Sequence, residues 1–292
     1  MYMGECMKDE FTILGFKINI RKFMFTIGVA ALVLLVLLLI NAFWIEVSWY
    51  GVIIGTGFLV ALWLATKLSS YRDLPSDFPY DLILWVFPLS IIGARTYYVV
   101  TSLDEFDTFW EMLAVWNGGM AIYGGIIGGL LGLIICCCIK KKNIVDTMDL
   151  TAPCLILAQS IGRWGNFVNQ EVYGWEVTNK AWQWFPFAVK IGTKWHLATF
   201  FYESIANFGG FFLLTHLLRK HRESGLVTSV YLIFYGIVRL ILEGLREDYY
   251  ILKIPHTNLA VSQVVSGVII IIGVVWLTSI LIKRRKLKNE KI

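Results

Sequence analysis

The chain has 292 residues, 57% of them hydrophobic and 16% charged, and its mean hydropathy is +0.66. Soluble domains are about 45–50% apolar and about 25% charged, so this composition excludes an ordinary water-soluble fold and indicates an all-α integral membrane protein. The net charge of +5 follows from where Lys and Arg lie along the chain and gives no reason to invoke a nucleic acid.

A membrane span needs about 20 mostly apolar residues. Segments near 23–43, 48–67, 81–100, 118–139, 147–167, 199–217, 226–245 and 260–282 meet that need, which predicts a multi-pass helical bundle of about eight spans. Cytoplasmic loops collect Lys and Arg. One set of alternate connections holds Lys8, Lys17, Arg21, Lys22, Lys67, Arg72, Lys140, Lys141, Lys142, Arg219, Lys220, Arg222, Lys283, Arg284, Arg285, Lys286, Lys288 and Lys291, eighteen of the 26 basic residues. The opposite connections hold Lys180, Lys190, Lys194 and Lys253. Both termini are therefore expected in the cytoplasm.

The first 22 residues form a charged N-terminal segment. The nearly pure aliphatic run 23–43 follows, with no small-residue cleavage site after it, and is read as a retained anchor. A core of 44–283 and a basic tail of 284–292 complete the division. The five cysteines, Cys6, Cys136, Cys137, Cys138 and Cys154, avoid the expected external loops, so no disulfide framework is implied.

Residues 101–116 carry Asp104, Glu105, Asp107 and Glu111 among aromatics and suggest a short surface helix. In the next run, Gly124/Gly128, Gly125/Gly129 and Gly128/Gly132 are small-x-x-x-small pairs that let helices approach closely. Arg163, Asn166, Asn169 and Glu171 then fall at the end of an apolar stretch, where an arginine at a helix centre costs about 2.5–3.5 kcal/mol on insertion scales. From Glu171 to His196 the chain is too long for a plain turn. Its Trp175, Trp182, Trp184, Phe185, Phe187 and Trp195 suit the headgroup region, and 185–195 reads as a β-hairpin with Gly192 in the turn. Tyr235, Arg239, Glu243 and Arg246 lie within about 80° of one another on a helix. One carboxylate can then sit between two guanidinium groups, at i,i+4 and i,i+3. Two readings fit this stripe: an ion-pair network that only fixes packing, or, given the surplus of cations, a place for an anion such as a phosphate, which arginine grips with two parallel bonds.

Gly162-Arg-Trp-Gly-Asn-Phe-Val-Asn-Gln-Glu-Val-Tyr-Gly174 resembles the signature of the prolipoprotein diacylglyceryl transferases. Supporting pieces occur in order: Ser48-Trp-Tyr-Gly51, Gly93-Ala-Arg95 with Tyr98, Asn117-Gly-Gly-Met-Ala-Ile-Tyr-Gly-Gly125, Phe201-Tyr-Glu-Ser204, and Tyr235-Gly-Ile-Val-Arg239 with Glu243 and Arg246. The resemblance covers roughly Val47 to Ile282 and implies an enzyme of the bacterial cell membrane, with 171–198 as a small external subdomain above its active site. The implied reaction moves the diacylglyceryl group of phosphatidylglycerol, drawn from the lipid bilayer, onto the lipobox cysteine of a prolipoprotein signal peptide. It forms a thioether, releases glycerol phosphate and needs no cofactor or metal.

By the same resemblance Arg163, Arg239, Tyr123 and Glu171 are the catalytic candidates, while Arg163, Asn166, Asn169, Tyr50, Tyr235, Glu243, Arg246 and Arg95 would bind phosphatidylglycerol. Three departures stand out. Tyr123 occupies a position where many members have histidine, Leu197-Ala198 replaces a common His-Pro, and Gln170 replaces a common glycine. The extra span 23–43 is also unlike the family. The competing class is a transporter or phospholipid-binding protein with an intramembrane anion site.

Overall fold

In hydrocarbon every backbone N–H and C=O must be satisfied within the chain, which makes long apolar runs helical. The computed structural model, which describes residues 10–13, 16–19, 48–247 and 260–289, has that form. Its helices are α1 (Trp49–Leu68), α2 (Phe78–Thr101), α3 (Phe109–Leu113), α4 (Ile122–Lys140), α5 (Ile144–Val168), α6 (Thr199–Lys220), α7 (Leu226–Glu243) and α8 (Val261–Asn289). Among the described residues six helices are long and apolar enough to cross a membrane: α1 with its 3-10 extension to Arg72, α2, α4, α5, α7 and α8. The expected span at 199–217 is helical as α6 but falls short in apolarity. Its buried face carries Thr199, Glu203, Ser204, Asn207 and Thr215. The expected anchor at 23–43 lies outside the described residues.

The chain divides into two compact units, 1–52 and 53–292. In the first, β1 (Glu10–Ile13) pairs antiparallel with β2 (Phe16–Asn19), a hairpin that the sequence reading did not anticipate. The rest of the architecture belongs to the second.

Within that unit α2 and α4 pack through the glycine stripe. A Cβ on Gly128 would stand 2.1 Å from the Leu89 carbonyl oxygen, and one on Gly124 2.2 Å from that of Gly93, so the two backbones touch directly. The helix begins at Ile122 instead of 118, because Gly118 and Gly119 take φ of +83° and +70°.

At the end of the bundle that carries Arg72 and Lys140, a buried ion pair ties four elements together. Asp149 on α5 accepts two bonds from Arg72, two from backbone N–H groups at the start of α7 (Gly225 and Thr228), and one from the Thr228 hydroxyl. The same guanidinium donates to the carbonyls of Leu218 and His221 at the end of α6, at 3.3 and 2.9 Å. One salt bridge thus supplies both the missing N-cap of α7 and a cation at the carbonyl end of α6.

At the opposite end β3 (Ala188–Ile191) and β4 (Lys194–Leu197) form a two-residue hairpin with Gly192 at φ +58°. Gly174 N–H joins the preceding segment to the Leu197 carbonyl at 3.0 Å, and that segment is fastened to the chain after α7 by an antiparallel bridge between Gly174 and Arg246, with Trp175 N–H donating to the Leu245 carbonyl at 3.0 Å. α7 ends at Glu243, so Arg246 leaves the helical stripe expected for it and sits in this bridge.

The α2–α4 contact gives the first prediction. Gly128→Ala forces the two backbones apart and lowers the thermal unfolding midpoint of the purified protein, or prevents its accumulation. Gly55→Ala, whose Cβ meets nothing within 4 Å, leaves that midpoint in place.

Candidate active site

α5, α6, α7 and the turn after α7 converge on Glu203. This carboxylate is 2% exposed. Its Oε1 lies 2.7 Å from Arg163 Nη2, and its Oε2 lies 3.5 Å from Arg239 Nη1 and 3.8 Å from Arg246 Nη2. Glu243 Oε2 completes the cluster, 2.7 Å from Arg239 Nη2 and 2.9 Å from Arg246 Nη1. That is the one-carboxylate, two-guanidinium arrangement implied by the i,i+4 and i,i+3 spacing. Three guanidinium groups therefore share two carboxylates.

Neighbouring polar contacts hold the helices in register around this cluster. Ser160 and Ser204 each donate to the other's carbonyl, at 2.8 and 2.9 Å, and Trp164 Nε1 donates to the Ser204 hydroxyl at 3.1 Å. Together they sew α5 to α6 about one turn from the Arg163–Glu203 contact. Gln159 Nε2 donates to the Tyr231 hydroxyl at 3.1 Å, and Tyr231 stacks on Tyr235 with ring centroids 5.7 Å apart. α5 is thereby joined to α7 as well.

A relay leads outward from Arg163. Its Nη1 donates to Asn166 Oδ1 at 3.1 Å, and Asn166 Nδ2 donates to Glu171 Oε1 at 2.9 Å, with Asn169 Nδ2 at 3.5 Å from the same oxygen. Glu171 Oε2 has no hydrogen bond among the described residues. Glu171 also sits between two residues in the left-handed region, Gln170 at φ +51° and Val172 at φ +56°. A β-branched residue there is an outlier, and such conformations cost about 1–3 kcal/mol and persist only where the surroundings enforce them. At Gln170 the left-handed conformation explains why glycine would be at ease.

Arg95 and Tyr123 are held by other contacts. Arg95 is buried, and its guanidinium donates to four backbone carbonyls, of Glu111, Met112, Gly118 and Gly119, at 2.6–2.9 Å. Four of its five N–H donors are thus committed to folding the 103–119 segment, which is at odds with a lipid-binding role. Tyr123 is half-buried and pairs with the Tyr97 ring at 6.5 Å. It makes no hydrogen bond to the arginine cluster among the described residues. Tyr50 is half-buried in the first turn of α1, within the 1–52 unit.

The sequence reading missed Glu203 as a site residue, although it is the only carboxylate on α6. An ionisable residue inside a membrane helix is a functional candidate by default, and that signal was available.

The charge surplus is local. Arg246 Nε is buried and has no hydrogen-bond partner among the described residues. Burial, followed by the neighbouring Arg239, pulls the Arg246 pKa down to about 10, so the group stays cationic at neutral pH.

The fold defines a polytopic helical membrane protein with a buried cluster of three arginines and two glutamates. Comparison with known sequences specifies it further. The family model described as prolipoprotein diacylglyceryl transferase matches residues 35–279. A Clostridium perfringens protein named phosphatidylglycerol--prolipoprotein diacylglyceryl transferase 1 is 41% identical over 253 residues, covering 85% of this chain and 95% of its own. Proteins named phosphatidylglycerol--prolipoprotein diacylglyceryl transferase from Streptococcus uberis and Streptococcus pyogenes serotype M5 are 40% and 39% identical. They cover 82% and 84% of this chain, and 92% and 93% of their own lengths. The chain belongs to the prolipoprotein diacylglyceryl transferase family and is a transferase.

Removing one partner from a buried ion cluster costs about 3–5 kcal/mol. Glu203→Gln is therefore expected to lower the unfolding midpoint sharply, because three cations then face one carboxylate. Glu176→Gln, which breaks the exposed 2.6 Å pair with Lys194, should leave the midpoint unchanged. Equal midpoints for the two variants would contradict the centrality of Glu203.

Proposed function

We propose that this chain transfers the diacylglyceryl group of phosphatidylglycerol to the lipobox cysteine of a prolipoprotein, with the Arg163–Arg239–Arg246 cluster receiving the phosphate. The observation that carries this reading is the buried Nε of Arg246, without a hydrogen-bond partner among the described residues, in a cluster of three guanidinium groups and two carboxylates. A phosphate supplies further negative charge against the three guanidinium groups and an acceptor within reach of that Nε.

In the reaction the cysteine sulfur attacks the glycerol carbon that bears the phosphate. The S–C bond forms, the C–O bond breaks, and the electron pair leaves on the phosphate oxygen as glycerol phosphate. Charge accumulates on that leaving group, so donors fixed in a water-poor site stabilise the transition state more than the ground state. The nucleophile belongs to the protein substrate. Its proton goes to Glu171, whose Oε1 is held by Asn166 in the relay from Arg163 and whose Oε2 accepts no hydrogen bond among the described residues. A thiol of ordinary pKa is already a few per cent thiolate at neutral pH, which makes this base an accelerator and not a prerequisite. Tyr235, against the cluster, orients the headgroup. On this reading Tyr123 contributes to substrate positioning, since a phenol is a poor base near neutral pH.

The bilayer supplies the lipid substrate, and the hairpin face is the external one, with both termini in the cytoplasm. The distribution of basic residues supports that orientation: Lys67, Arg72, Lys140, Arg219 and Lys220 fall at the helix ends opposite the Glu203 cluster. No observation favours a transporter.

Arg246→Lys and Arg163→Lys keep the charge but lose the planar fork. Each is expected to lower thioether formation per folded enzyme by about a hundred- to a thousandfold, the effect of losing one transition-state donor. The assay uses phosphatidylglycerol vesicles and a lipobox peptide. Near-normal turnover in both variants would remove the phosphate from this cluster.

A further inference from the structure

Glu171 is the one carboxylate of the site that lies outside a helix, and the chain around it is forced. α5 ends at Val168, Gln170 and Val172 both take positive φ, and the Glu171 N–H turns back to the Asn166 carbonyl at 3.0 Å. Nothing in the residue types explains this shape, since neither Gln nor Val favours the left-handed region. Something outside the segment must hold it.

The side chain that reaches the Val172 carbonyl is Thr199. Its hydroxyl donates to the Val172 carbonyl at 3.0 Å, and the residue is 3% exposed. Thr199 is the first residue of α6, one turn before Glu203 on the same helix. On the far side of the elbow the Gly174 bridge to Arg246 fixes the chain again. Val172 thus lies between a hydroxyl on the helix of one cluster residue and a backbone bridge to another.

We infer that Thr199 is a positioning residue: by holding the Val172 carbonyl it keeps residue 172 left-handed and aims the Glu171 carboxylate at the reacting thiol. The inference rests on the role of Glu171 as proton acceptor proposed above. It places control of the base on α6, so that the helix that neutralises the arginines also orients the group that takes the proton. Val172 stores the strain and Thr199 retains it.

The test is kinetic, on the full-length enzyme in phosphatidylglycerol vesicles with a lipobox peptide. Thr199→Val keeps the volume and removes the hydroxyl. It is expected to lower kcat by about a hundredfold, as misplacement of a reacting group by an ångström does, with KM for phosphatidylglycerol unchanged within about twofold because the phosphate grip is intact. Thr199→Ser retains the donor and restores most of the rate. Val172→Gly added to Thr199→Val also recovers activity, because glycine reaches positive φ without help. Thr199→Ala carries the same expectation where the valine variant yields no folded protein. Normal kcat in both hydroxyl-free variants, or equal losses in the serine and valine variants, overturns the inference, and so does failure of Val172→Gly to rescue. Glu171→Gln separates the two ideas. If it is fully active the base assignment itself is wrong. If it is inactive while Thr199→Val is normal, Glu171 keeps its role and only the part given to Thr199 falls.

Discussion

Glu203 is the residue on which the site depends. A carboxylate buried to 2% exposure can be tolerated only if its charge is met, and three arginines from three places in the sequence meet it. Arg163 comes from the end of α5, Arg239 from α7 and Arg246 from the turn beyond α7. Each of those elements is therefore tied to α6 at a common depth. The serine pair and the Gln159–Tyr231 contact lock the same three helices from below, so the guanidinium groups are held in place before any substrate arrives.

The two ends of the bundle handle buried charge in opposite ways. At the Arg72 end, one arginine meets Asp149, and the remaining acceptor capacity of that carboxylate is filled by two backbone N–H groups and a hydroxyl. That pair is complete and ties elements together. At the Glu203 end the cations exceed the carboxylates, and Arg246 Nε is left buried with nothing to bind among the described residues. A complete buried network rigidifies, whereas an incomplete one is costly unless a ligand finishes it. That difference is the ground on which the Glu203 cluster, and not the Asp149 clamp, is proposed as the phosphate site.

Much of this was legible in the sequence where a single helix carries the signal. The glycine stripe of α4 and the Arg239–Glu243 pairing are periodic features, and periodicity survives folding. The hairpin around Gly192 was visible for a similar reason, since a glycine between aromatic and β-branched residues marks a turn. Features set by tertiary contacts were not legible. Arg95 reads as a spare cation, yet its donors go to backbone carbonyls 16–24 positions away. Spacing alone puts Arg246 on the helical stripe, but α7 ends at Glu243 and the Gly174 bridge holds Arg246 beyond it. The place of Glu203 at the centre is not legible because its partners lie on other elements. The left-handed Val172 has no trace in the sequence at all, because only the surrounding contacts impose it.

The central claim is that the Arg163–Arg239–Arg246 cluster is the seat of the leaving phosphate. An experimental structure of the enzyme with glycerol phosphate or phosphatidylglycerol bound tests it directly. The account predicts phosphate oxygens about 2.7–2.9 Å from Arg246 Nε and from a guanidinium nitrogen of Arg163, with Glu203 still bridging the arginines. A phosphate seated away from all three arginines, with the cluster unchanged, would contradict it.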